Sequence, residues 1–241
     1  MKKLPRSSEL LWLLGILLVA LGVAICSKAN LGVSMVAAPA FVLSEALLPY
    51  CSLLNVGVTE YLVQGLMLLL LCLVIRRFTW RYLLAFAVGV IYGYALNLFL
   101  WLLGGIEFNA IWLRWVMLIV GDCITALGVA AFFRTYLPLQ VYELFVAELA
   151  NRFHFSISKT KWAFDLSLLL LSVLLALTLF GDVASFDFST IGYSCFHSIG
   201  LGTLVTTLIN SPLIRTAGKL LDRIFDPAPR FPRAEQFLKR S

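Results

Sequence analysis

Continuous apolar runs, each about as long as a bilayer is thick, constrain this chain more than any other feature. They cover residues 10–27, 59–75, 82–103, 111–133 and 162–180, with a weaker sixth at 191–209. About 20 apolar residues in a helix cross a hydrocarbon core roughly 30 Å thick. Lipid offers backbone groups no hydrogen-bond partners, so only helices and closed barrels span it. Barrel strands would be about ten residues long with alternating polarity. The run 67–74 is apolar without interruption, so the spans read as helices. Composition agrees: 61% of residues are hydrophobic and 13% charged, with a mean hydropathy of +0.94. A soluble domain carries about 25% charged residues, so neither a soluble globular fold nor a disordered chain fits. The 241 residues accommodate six or seven helices and leave no room for a second, soluble domain.

A seventh apolar stretch, 31–48, must be included or excluded by charge rather than hydropathy. Lys and Arg concentrate on cytoplasmic loops. Six spans with the N-terminus inside put Lys2, Lys3, Arg6, Arg76, Arg77, Arg81, Arg134, Arg152, Lys159, Lys161 and the seven cations from Arg215 to Arg240 on the cytoplasmic side. Only Lys28 and Arg114 fall outside, and the loop between the fifth and sixth spans holds Asp182 and Asp187 without a cation. Letting 31–48 cross would send Arg76, Arg77 and Arg81 outward. The expectation is therefore six spans with both ends cytoplasmic. The basic N-terminus before an apolar run also describes a signal peptide, but Ile25 before Cys26 is wrong for lipoprotein processing, and 27–29 is a poor cleavage match. The segment is expected to stay as the first helix.

The net charge of +6 is accounted for by these loops and the tail, so no nucleic-acid partner is implied. The tail, 215–241, intersperses Leu220, Leu221, Ile224 and Phe225 among its charges, a pattern suited to the anionic inner leaflet. Cys26, Cys51, Cys72, Cys123 and Cys195 have no metal spacing; Cys51 and Cys195 both fall near the outer face, but isolated membrane cysteines are more commonly packing residues.

The halves of the chain resemble each other. Ala20-Leu21-Gly22-Val23-Ala24 recurs as Ala126-Leu127-Gly128-Val129-Ala130, and at the same offset Lys28 faces Arg134 and Leu31 faces Leu137. Each cation precedes a short apolar segment too small to span, 31–48 and 137–149. Then come 59–64 and 160–165, each opening a Leu-rich helix, and third helices matched through Gly89 with Gly202 and Asn97 with Asn210. Three crossings per unit, an odd number, turn the second copy upside down. The expected fold is thus an all-α polytopic membrane protein of six transmembrane helices, arranged as two inverted three-helix repeats, each with a short lateral or re-entrant segment after its first helix. The expected units are 1–110, 111–214 and the tail 215–241. Inverted repeats place a polar site near the midplane.

Ionisable groups in hydrocarbon are expensive unless paired or wet, and so are candidates for function. Asp122 lies mid-way along the fourth span with no cation within a turn, while Asp165 has Lys161 one turn earlier. Asn97 and Asn210 suit either helix-to-helix bonding or solute contact. Gln64, Ser34 and Gln140 belong with them. Ser34 and Gln140 occupy matched places near the starts of the lateral segments, where free N–H groups together with Lys28 and Arg134 would suit an anionic group. Gly200 and Gly202 with Thr203, Thr206 and Thr207 give the sixth span a small face.

No enzyme chemistry is legible. His154 and His197 lack the spacing of a zinc protease, a rhomboid-like pairing of Ser34 with His197 has the wrong flanks, and no phosphate loop or nucleotide fingerprint occurs. No catalytic residue, metal or cofactor is expected. The segments Lys28-Ala29-Asn30-Leu31-Gly32-Val33-Ser34, 133–138 through Tyr142-Glu143, 156–165 and Gly200-Leu201-Gly202-Thr203-Leu204 resemble the YczE-like family of bacterial integral membrane proteins, distantly similar to YitT-type proteins. The resemblance implies a bacterial inner or plasma membrane location and carries over no ligand residue. The expected function is movement or binding of a small anionic or zwitterionic solute, by a homodimer that buries its small-residue faces in the bilayer. The competing expectation is an accessory or sensory protein that docks a partner through its lateral segments and tail.

Overall fold

The computed structural model describes residues 4–180 and 197–228. Among these the elements are β1 (Leu4–Ser7), α1 (Ser8–Ala29), α2 (Ala38–Leu47), α3 (Val56–Ile75), α4 (Trp80–Leu102), α5 (Ile111–Phe132), α6 (Val141–Phe153), α7 (Ile157–Phe180), α8 (Leu201–Ile224) and β2 (Phe225–Ala228). Five helices, α1, α3, α4, α5 and α7, are long and apolar enough to cross a membrane. The short segments expected after the first and fourth spans are helices of 10 and 13 residues, α2 and α6. The sixth expected span begins outside the described residues, as do Cys195, Asp182, Asp187 and the tail beyond 228. Its described part opens α8, whose 24 residues run unbroken through the boundary expected at 214. The first ten residues assigned to a separate tail therefore belong to this helix. β1 pairs in parallel with β2, which sets the start of α1 beside the end of α8.

The long helices turn their leucines outward. On α3, Leu62, Leu66, Leu69 and Leu73 recur at helical spacing and are all exposed, and Trp162, Leu166, Leu170 and Leu174 do the same on α7. In water such faces would collapse together, but lipid tails are as apolar as leucine, so helices associate through close packing and internal polar contacts. The inward faces are accordingly small and polar: Gly57, Glu60 and Gln64 on α3, Gly121, Asp122 and Thr125 on α5.

The most extensive helix contact is the antiparallel crossing of α1 with α5. Cβ atoms built at Gly22 and Gly121 would lie 2.5 and 2.8 Å from each other's carbonyl oxygens, and one at Gly128 would lie 2.7 Å from that of Gly15. Only glycine lets the backbones approach this far. The contact is reciprocal: Gly15 meets Gly128 and Gly22 meets Gly121, and these four glycines stand at the offset that relates the two halves of the sequence. The other helices follow the same pairing, with α4 against α1 and α8 against α5, α2 against α3 and α7, and α6 against α7 and α3. The small faces thus find partners within the chain, Gly202 included, whose Cβ would lie 2.6 Å from the Leu31 carbonyl oxygen.

After α1 the chain reverses through Gly32, which adopts φ +107°, a conformation side chains resist. The flanking backbone is pinned by Val33 N–H donating to the Ser198 carbonyl at 2.9 Å and Gly202 N–H donating to that of Leu31 at 2.8 Å. The reversal brings Ser34, Val36 and Ala37 back to the level of Val19 and Val23 in mid-α1.

Helix starts differ from expectation in a way that matters for the site. α3 begins at Val56 rather than Thr59, with the Asn55 side chain accepting from Val58 N–H at 3.1 Å. α7 begins at Ile157 rather than Trp162. Glu60 and Lys161 are consequently the fifth residues of their helices and buried. Lys161, counted in the sequence as a cytoplasmic loop cation, is a core charge.

Candidate functional site: a buried polar cavity

The chain reversals after α1 and α5 deliver the starts of α2 and α6 to a common crevice with a cavity volume of about 30 Å³. Its walls come from both halves at matched positions: Val19 and Thr125, Val23 and Val129, Ser34 and Gln140, and Ala37 with Glu143. Glu60 of α3 and Lys161 of α7, which open the paired segments 59–64 and 160–165, also line it. Tyr92, Tyr142 and Asn210 complete the polar lining.

Among the described residues, four carboxylates are buried around this centre, Glu60, Asp122, Glu143 and Asp165, against one buried cation, Lys161. The Lys161 ammonium bonds Asp165 at 3.2 Å and also lies within electrostatic reach of Glu143 and Asp122. One positive charge therefore serves three acids. Glu60 is held differently: Gln64 Nε2 donates to its Oε1 at 3.4 Å, and Oε2 has no partner. The Tyr142 hydroxyl lies beside this carboxylate without closing a hydrogen bond of good geometry. Glu143 sits in the first turn of α6, where the helix dipole favours a negative charge. Its Oε2 is likewise unpartnered, as are Asn210 Oδ1 and Asp122 Oδ2. A buried polar atom without a partner costs about 1–3 kcal/mol, so a cluster of them at a cavity wall is a place prepared for something that donates hydrogen bonds.

The sequence-predicted residues divide into three groups. Ser34, Gln140 and Asn210 line the cavity. Asp165, Asp122 and Gln64 stand behind it: Asp165 pairs with Lys161 as its one-turn spacing predicts, Asp122 faces the same ammonium from α5, and Gln64 positions Glu60. Asn97, Lys28 and Arg134 lie elsewhere. Asn97 does not meet Asn210; it donates to Asn55 Oδ1 at 2.7 Å and accepts from Gly57 N–H at 2.9 Å, joining α4 to the start of α3. Lys28 donates to the Gly104 carbonyl at 3.3 Å. Arg134 makes a two-bonded pair with Asp222, at 2.6 and 2.7 Å, packed over Gly218. The two cations lie at opposite ends of the α1–α5 crossing, and neither lines the cavity, so no anion site forms from them at the short-helix starts.

Sequence reasoning missed Glu60, Glu143 and Lys161 as site residues. A signal was available: Thr59-Glu60 and Thr160-Lys161 are matched in the repeat, and Glu143 follows Gln140 within an otherwise apolar helix start. Hydropathy does not single them out, because it cannot tell a helix end in water from one folded back into the protein.

A bundle of long apolar helices around a buried, charged cavity defines the class, a polytopic α-helical membrane protein. Residues 7–219 match the family described as a family of unknown function, DUF6198, and the chain belongs to it. No curated protein and no solved structure matches it.

Proposed function

We propose that this protein is a transporter that carries a small solute through the central cavity. The observation that carries the reading is the lining itself, in which matched positions of the two halves face one another across a polar crevice. Two further features support it. The reciprocal glycine contact of α1 with α5 is the self-complementary kind that a two-fold axis produces. Three crossings per half, with the sixth within 191–224, would make that axis lie in the membrane plane, as in transporters built from inverted repeats. Such a body has two orientations of nearly equal energy, each opening the shared site to one side. In this reading both chain ends are cytoplasmic, α2 and α6 are re-entrant, and the family lies near the YczE-like proteins of bacterial membranes.

The test needs no knowledge of the solute. With the native cysteines replaced, Ser34→Cys and Gln140→Cys are reconstituted separately in vesicles and treated with an impermeant thiol reagent from either side. Alternating access requires each position to react from both sides. Reaction from one side only, under every condition tried, refutes transport.

A further inference from the structure

The cavity also specifies the charge class of its occupant. Four polar atoms at its wall lack partners: Glu60 Oε2, Glu143 Oε2, Asn210 Oδ1 and the Tyr142 hydroxyl, on residues that are 1, 6, 6 and 3% exposed. They belong to α3, α6 and α8, so the arrangement comes from tertiary packing and not from one acidic stretch. Among the described residues, the one buried cation near them is already committed to Asp165 and shared with Glu143 and Asp122. Beside Glu60 stand the neutral Gln64, Tyr142 and Tyr92 and one further acid, Glu143, and no cation is among them. An uncompensated buried carboxylate is costly, whereas one that meets a charged donor makes a strong short bond.

We propose that the site binds the ammonium group of a small primary amine, its three N–H donors directed to Glu60, Glu143 and Asn210. The proposal rests on the transport reading and departs from the anionic or zwitterionic solute expected from sequence. The match is one of donors as well as of charge: R–NH3+ brings three N–H groups to unpartnered acceptors, and a quaternary ammonium brings none. Val19, Val23, Val36 and Val129 offer the amine's carbon chain an apolar wall, and the rings of Tyr92 and Tyr142 add a surface that suits a cation. A free carboxylate or phosphate would find neutral donors here, such as Ser34 and Gln140, but one cation, Lys161, whose charge is already outnumbered by acids.

Binding of ethylammonium, tetramethylammonium and acetate to the detergent-purified full chain, followed by calorimetric titration and by the unfolding midpoint, tests this. Ethylammonium is expected to bind and to raise the midpoint, with tetramethylammonium and acetate at least about tenfold weaker. Glu60→Gln is expected to weaken ethylammonium by about tenfold or more, and Asn210→Leu by less, since a neutral acceptor is lost rather than a charge. The wild-type comparison stands even where a variant fails to fold. The proposal is overturned if acetate binds in preference, if tetramethylammonium binds as well as ethylammonium, if folded Glu60→Gln binds unchanged, or if no amine binds. Two-sided labelling of Ser34→Cys and Gln140→Cys alongside any of those outcomes would leave transport standing and remove the amine alone.

Discussion

Replacing Lys161 with Met is the perturbation that most directly tests the charge arrangement of the core. Lys161 and Asp165 are buried, with side-chain exposures of 10% and 2%. Removing one partner of a buried ion pair costs about 3–5 kcal/mol, because the other charge is left without compensation. Lys161 faces Glu143 and Asp122 as well, so Lys161→Met strands three carboxylates and belongs at the top of that range, about 5 kcal/mol. Asp165→Asn leaves the ammonium with two carboxylates still facing it, and its cost is that of one weakened hydrogen bond, about 1–3 kcal/mol. An isolated pair would behave otherwise: its two single variants would cost alike, and Lys161→Met with Asp165→Leu would recover stability. Here the double variant is expected to stay well below wild type, since Glu143 and Asp122 remain unpaired. Reversible unfolding in detergent by titration with sodium dodecyl sulfate measures all three. Equal costs for the single variants, or full recovery in the double one, would refute the sharing of one cation among three acids.

Two further expectations concern packing and the surface. Gly22→Ala and Gly128→Ala push a methyl into the partner backbone of the α1–α5 crossing, so each should lose about 1–3 kcal/mol despite alanine's better helix propensity, and the losses should be similar because the contacts are reciprocal. A neutral Gly22→Ala in the same unfolding titration would show that the helices do not pack this closely. Arg134→Ala removes a well-formed pair with Asp222, but the partners are 24% and 59% exposed, so the expected loss is below about 1 kcal/mol. A loss as large as that of Lys161→Met would place Arg134 in the functional core.

Much of this architecture is legible in one dimension, and particular residues show where legibility ends. The length of runs such as 10–27 and 111–133 dictates helices that cross lipid, because no other structure satisfies the backbone there. Loop cations excluded 31–48 as a crossing, and α2 is indeed only 10 residues long. The Gly15, Gly22, Gly121 and Gly128 spacing could be read as a repeat, and the fold uses those residues in one reciprocal contact. The Asp165 pairing with Lys161 followed from the helical period alone. Asn97 and Asn210, matched in sequence, part company in space: one caps a helix and the other faces the cavity.

Local sequence thus determined the solvent and the helices, since each follows from interactions within about 20 residues. Tertiary structure alone decided which polar groups are functional candidates. Glu60, Glu143 and Asn210 are 83 and 67 positions apart along the chain. They face one cavity because α3, α6 and α8 pack around it, Glu143 arriving with the start of α6 after the reversal that follows α5. Whether a buried carboxylate has a partner depends on which helix lies opposite, and that is settled by packing across the whole bundle. The same packing drew Lys28 and Arg134 to the ends of the molecule and left Lys161 as the single buried cation among the described residues.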